Sequence, residues 1–258
     1  MKNKEQLYRT LVDDARNDYL SRPRSANSKG VYLTWVKDCH EINLWTYWQG
    51  IGNFDAKILL VGQDWGASDP KSSIMQNIRD INDGLRTDYS FKQANPAGKV
   101  NPTDDNLCEL FASIGYDITK RCGDLFFTNF VLGYRSKGLS GNMKREWLLA
   151  DAPYFSRLVN IIEPKVVVCL GKDTFEGVQY ACTGEWQHTG RFNAFIESPQ
   201  NPAILPLLSG KTVAAFAVAH CGKIGTLNRN RIGRLGSYAS SQSLYRQIEA
   251  WKKTKGFL

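Results

Sequence analysis

The sequence predicts an α/β fold: a three-layer α/β/α sandwich around a central, mainly parallel, four-stranded sheet. Three observations predict it. Four short apolar runs, at 57–62, 125–130, 165–170 and 212–219, lack polar alternation, as strands buried on both faces do. Helical patterns separate these runs, and that alternation builds parallel sheets. No linker rich in Pro, Gly or Ser, no repeat and no low-complexity tract divides the 258 residues. The chain therefore reads as one domain, 1–258, with an N-terminal helical extension over about 1–54.

The elements follow in order. Residues 4–20 read as a helix with Leu7, Leu11, Ala15 and Leu20 near one face. A polar, basic loop over 22–30 leads to an aromatic-rich stretch (Tyr32, Trp35, Trp45, Tyr47, Trp48) that suits a cap on the core or a stacking surface. Further helices are expected at about 72–87, 103–114, 143–162, 172–181 and 238–254. Thr103-Asp104-Asp105-Asn106 supplies an N-cap ahead of Leu107, Leu110 and Phe111.

Composition narrows the function classes. With 42% hydrophobic and 22% charged residues the chain is globular in character and not disordered. No apolar run approaches the roughly 18 residues that span a bilayer, so no membrane partner is expected. The polar start, Met1-Lys2-Asn3-Lys4-Glu5, shows no signal peptide, and a cytoplasmic location is expected. Six scattered cysteines without a C-x-x-C read as reduced thiols, with no zinc or iron–sulfur site.

The net charge of +8 is uneven. From His220 onward the chain carries Lys223, Arg229, Arg231, Arg234, Arg246, Lys252, Lys253 and Lys255 against Glu249 alone, which leaves +1 for everything before it. A localised basic region suits a polyanionic partner, nucleic acid before membrane, although basic tails also occur on proteins that bind nothing.

In open parallel sheets, ligands bind outside the carboxyl ends of the strands. The four runs exit into Gly62-Gln63-Asp64-Trp65-Gly66, Thr128-Asn129-Phe130, Leu170-Gly171-Lys172 and Ala219-His220-Cys221-Gly222. One rim would thus gather Asp64, Asn129 and His220. No phosphate loop, dinucleotide fingerprint or nucleophile elbow is present. An Asp–His pair without a nucleophilic Ser fits attack by water. Cys221 beside His220 could form a nucleophilic pair, but adjacent side chains rarely converge. Each residue also has an ordinary alternative: Asp64 capping the turn, Asn129 bonding a neighbouring loop, His220 structural.

These residues resemble the uracil-DNA glycosylase superfamily, over roughly 55–235. Gly62-Gln63-Asp64 is similar to the opening of its G-Q-D-P-Y-H water-activating motif. Thr128-Asn129-Phe130-Val131-Leu132-Gly133-Tyr134-Arg135 resembles its T-N-x-V-x-x-x-R stretch. His220-Cys221-Gly222 stands where the family has the H-P-S of its leucine loop, and the third run with Lys172 is similar to its third strand and following helix turn.

The resemblance implies a uracil-DNA glycosylase-like fold and a monofunctional base-excision glycosylase. The family's iron–sulfur cysteines are absent from this chain, so neither metal nor cofactor is expected, and a monomer is expected. It would hydrolyse the N-glycosidic bond of uracil, or of a C5-substituted uracil, flipped out of DNA. By resemblance Asp64 orients a water and stabilises the cationic sugar. His220 donates to the base O2, a contribution of roughly 3–4 kcal/mol for a well-aimed donor. Asn129 matches O4 and N3–H of uracil. Gly62, Gln63, Trp65, Gly66 and Phe130 would line the base, with Phe130, Tyr89 or Phe91 stacking on it. Leu227, or Ile224 in second place, would fill the gap in the duplex, and Lys223, Asn228, Arg229, Arg231 and Arg234 would hold DNA.

The first motif departs from the family: Gly66 stands where its Tyr excludes the thymine methyl. That implies tolerance of 5-hydroxymethyluracil unless Trp65 takes over the blocking role. His220 is followed by Cys-Gly instead of Pro-Ser. Two rival readings stay open: a non-catalytic nucleic-acid-binding member of the same fold, and a hydrolase of small N-glycosides.

Overall fold

The computed structural model describes residues 3–23, 25–36, 39–43, 52–66, 102–137, 143–232, 237–238 and 244–258. The helix expected at 72–87, the stacking candidates Tyr89 and Phe91, and Arg234 lie outside them.

Strands β2 (Ile58–Gly62), β3 (Leu125–Asn129), β5 (Val166–Leu170), β6 (Ala203–Pro206) and β7 (Thr212–Val218) form one sheet in the order β3-β2-β5-β7-β6. β3, β2, β5 and β7 are parallel, and β6 pairs antiparallel with β7 at the edge. The expected four-stranded sheet is therefore corrected to a five-stranded one. The added strand is four residues long, follows Pro202 and ends in Pro206, so it reads as a loop. Proline is tolerated there because one side of an edge strand needs no ladder donor.

The register shows which faces are covered. Leu59, Phe126, Val167 and Ala215 form one row across the sheet; Leu60, Phe127, Val168 and Phe216 form the next, on the opposite face. Tyr8 of helix α1 (Lys4–Ser21) meets Phe126 edge-on, whereas Phe257, in the 3₁₀ turn Lys253–Phe257, meets Phe216. Helices thus lie on both faces, as a three-layer α/β/α arrangement requires.

Asn3 and Gln6 form a capping box at the start of α1. Its buried stripe is Tyr8, Leu11, Val12, Ala15 and Tyr19; Leu7 and Leu20, expected on that face, are exposed. α2 (Pro102–Ser113), α3 (Arg145–Ile162) and α4 (Lys172–Thr183) match expected helices. Two short helices, α5 (Phe192–Glu197) and α6 (Lys223–Asn230), were not expected. α7 is Tyr245–Lys252 and does not reach back to 238; Ser237–Tyr238 (β9) instead pairs with Arg231–Ile232 (β8). A small antiparallel ladder, β1 (Leu33–Thr34) with β4 (Tyr134–Arg135), braces the chain beyond β3.

Among the described residues no helix is long and apolar enough to cross a membrane.

Candidate active site

The loop leaving β2 is docked along the segment that leaves β3. Gly62 O accepts from Phe130 N (2.9 Å), Gln63 O from Val131 N (3.1 Å) and Gly66 O from Arg135 N (2.7 Å). Trp65 stacks on buried Tyr134, centroids 5.1 Å apart, so it is held against the core. Gly66 has φ +73°, a conformation that favours glycine. Gln63 is half-buried in the same loop.

Asp64 is gripped from two sides. Its Oδ1 accepts from Gly66 N (2.8 Å), the turn-capping role open to an Asp after a strand. Its Oδ2 accepts from Arg135 Nε (3.1 Å) and Nη2 (2.9 Å), and both side chains are nearly buried. Arg135 was quoted in the second motif but assigned no role. Only its place at the end of that motif could have pointed to it, because its partner lies 71 residues away.

Asn129 ends β3 in register with Gly62, and its side chain crosses the space a Cβ would take at Gly62. Glycine is needed there for room. The Asn129 carboxamide makes no hydrogen bond among the described residues and is 4% exposed, a donor–acceptor pair left open at the rim. Phe130, the next residue, points to the other face. It is fully buried, against Phe155 of α3, and a Cβ on Gly177 of α4 would come within 2.9 Å of its ring. The expectation that it stacks on a base is corrected: Phe130 is a core residue.

His220 follows β7. Its Nδ1 accepts the Gly222 N–H at 2.9 Å, so that nitrogen carries a lone pair and the ring proton belongs to Nε2. Burial pushes the imidazole pKa down, and the nearby Asp64 charge raises it by less, so the neutral ring is favoured. Asp64 and His220, which follow the carboxyl ends of β2 and β7, are thus near enough for their charges to interact. The start of α2 supports this loop: Asn106 Nδ2 donates to Cys221 O at 2.6 Å, and Thr103 Oγ1 lies beside Gly222. A Cβ on Gly225 would overlap the His220 carbonyl, so α6 can begin this close only with glycine there. Cys221 is fully buried, and burial pushes its thiol up to about 12, which removes it as a nucleophile.

Asp104, expected in the N-cap, lies instead in the first turn of α2, which begins at Pro102. Burial, then the neighbouring Asp105, raise its carboxyl to about 6.

The DNA-contact expectations divide. Lys223 and Asn228 are exposed on α6. Ile224 is 73% exposed, whereas Leu227 is half-buried, which reverses the expected preference between them. Arg229 is corrected outright: it is 1% exposed, ion-paired with Glu197 of α5, and locked to α7 by Arg246 Nη1 donating to its carbonyl at 3.1 Å. A guanidinium so enclosed cannot reach a phosphate. Arg231 is described only as backbone of β8. Lys172, at the β5 exit, donates to Gly190 O at 3.2 Å.

Among the described residues no group of three or more His, Cys, Asp and Glu is placed to hold a metal ion. No known family matches the chain in a scan of family models, and no curated protein matches it in sequence.

Proposed function

We propose that this chain is a DNA base-excision glycosylase acting on uracil or a C5-substituted uracil flipped out of the duplex. The observation that carries the reading is His220 held neutral, its proton on Nε2 and its Nδ1 engaged by Gly222. A neutral imidazole donor suits a leaving base that gathers negative charge at O2. As the C1′–N1 bond breaks, its electron pair moves onto the base; a water bonds to C1′ and releases a proton to solvent. Asp64 orients that water. The open carboxamide of Asn129 donates to O4 and accepts from N3–H of uracil. Cytosine presents the opposite pattern, and mispaired buried polar groups are costly. Trp65 is committed to Tyr134, so it does not take over a C5-blocking role, and 5-hydroxymethyluracil is included as a substrate.

Exposed Ile224, four residues after His220, is the wedge, and Lys223 contacts phosphate. Base release from uracil-containing oligonucleotides, followed by alkaline strand cleavage, tests the reading. One observation favours the non-catalytic alternative: Asp64 already accepts three hydrogen bonds, two from Arg135 and one from Gly66. In that alternative DNA is bound without base release.

A further inference from the structure

We infer that Arg135 is the positioning residue of this site, fixing the Asp64 carboxylate so that a single acceptor position remains for water. The inference rests on the glycosylase reading above and assigns a part to a residue that reading does not use.

The lone pairs of Asp64 can be counted. An ionised carboxylate offers about four acceptor positions, two on each oxygen. On Oδ2 both are taken, by Arg135 Nε at 3.1 Å and Nη2 at 2.9 Å. On Oδ1 one is taken by Gly66 N at 2.8 Å. Among the described residues one position is left, on Oδ1. A water accepted there has one place to sit, whereas a loosely held carboxylate would offer four.

The clamp is rigid because Arg135 holds the loop at two points. Its side chain binds Asp64 and its own N–H binds Gly66 O at 2.7 Å. Arg135 is itself fixed by β4 pairing with Leu33, and its guanidinium lies 5.9 Å from the centre of the Trp147 ring. Further back, Leu132 N donates to the fully buried Asp151 at 2.7 Å, which also accepts from Tyr19 Oη and from Arg22 Nη2. Motion of Asp64 therefore requires motion of the segment that carries Asn129. The water-holding group and the base-reading group are thereby kept in register, the kind of preorganisation on which reaction geometry depends.

The test is a double-mutant cycle read by single-turnover uracil release, with DNA affinity measured separately on the same oligonucleotide. Arg135→Met is expected to slow release at least about tenfold while shifting affinity less than about threefold. Arg135→Lys, keeping the charge with a single point of contact, is expected to recover part of that loss. In the Asp64→Asn background, Arg135→Met is expected to cost nothing more, because a group acting only through Asp64 has nothing left to position. Thermal melts establish that each variant folds; if Arg135→Met does not, Arg135→Lys alone must still show slower release at unchanged affinity. Release by Arg135→Met or Arg135→Lys at the wild-type rate, or losses that multiply with Asp64→Asn, would overturn the inference and leave the glycosylase reading standing. No release by the wild type, from uracil or 5-hydroxymethyluracil, would overturn both.

Discussion

The Nδ1 atom of His220 accepts the backbone N–H of Gly222 at 2.9 Å. A main-chain amide can only donate, so this bond selects one tautomer and leaves the imidazole a single donor, at Nε2. The bond also resists protonation, since a proton on Nδ1 would have to displace it. A nitrogen-15 NMR spectrum of labelled protein should show His220 as the Nε2–H tautomer at neutral pH; an Nδ1–H ring or an imidazolium would contradict this.

Stability should report the same imidazole. Its folded pKa lies below the ordinary 6.5, chiefly through burial. Between those two values the unfolded chain binds more protons than the folded one. The contribution is therefore full above the ordinary value and lost as pH falls through the folded value. His220→Gln cannot titrate, so its melting temperature should fall less than that of wild type between about pH 7 and pH 5. Equal slopes would place His220 in an ordinary solvated setting.

Asp104 has the opposite sign. Its carboxyl is raised from 3.8 to about 6 by burial and by Asp105, so its favourable contribution is complete below 3.8 and lost as pH rises through about 6. Asp104→Asn should raise stability at about pH 7.5 by about 1–3 kcal/mol, with the gain vanishing below about pH 4. Urea unfolding at the two pH values measures it.

Gly62→Ala should leave the fold intact and impair base reading. The added methyl would lie 2.3 Å from Asn129 Oδ1, so the carboxamide must turn away. Uracil release should fall more than tenfold, and discrimination against cytosine should narrow. Unchanged release would mean that Asn129 does not read the base.

The α6 residues should separate cleanly. Arg229→Ala should cost about 2–4 kcal/mol of stability, because it removes a fully buried side chain and its ion pair with Glu197, leaving a cavity between α5 and α6. Ile224→Ala and Lys223→Ala, both exposed, should change stability by less than about 0.5 kcal/mol. Ile224→Ala should slow release from duplex DNA but not from a single strand. Lys223→Ala should reduce the salt dependence of binding by about one unit of slope.

Much of this architecture is legible in the sequence. The four parallel strands lie within a residue of the apolar runs, because strands buried on both faces leave continuous Val, Ile and Leu. Asp64 and His220 come to one side of the rim because each follows the carboxyl end of its strand. The errors have physical causes too. Counting charge along the chain cannot show that Glu197 lies over Arg229, so the sequence offers as a phosphate contact a guanidinium that is buried in an ion pair. Phe130 is legible as a core residue: successive residues of an extended chain face opposite ways, so it cannot share a side with Asn129. Ile224 and Leu227 were ranked by position in an extended loop, but that stretch is a helix, and the helix decides which is exposed. The Asp64–Arg135 pair joins two motifs whose separation gives no local signal.

The central claim, a neutral His220 donating to the departing base, is tested most directly by uracil release from end-labelled oligonucleotides with wild type and His220→Ala. The account predicts release by the wild type and a loss of about a hundredfold or more in the variant, with DNA binding retained. Release by His220→Ala at the wild-type rate, or tight, salt-sensitive DNA binding with no release by either protein, would contradict it.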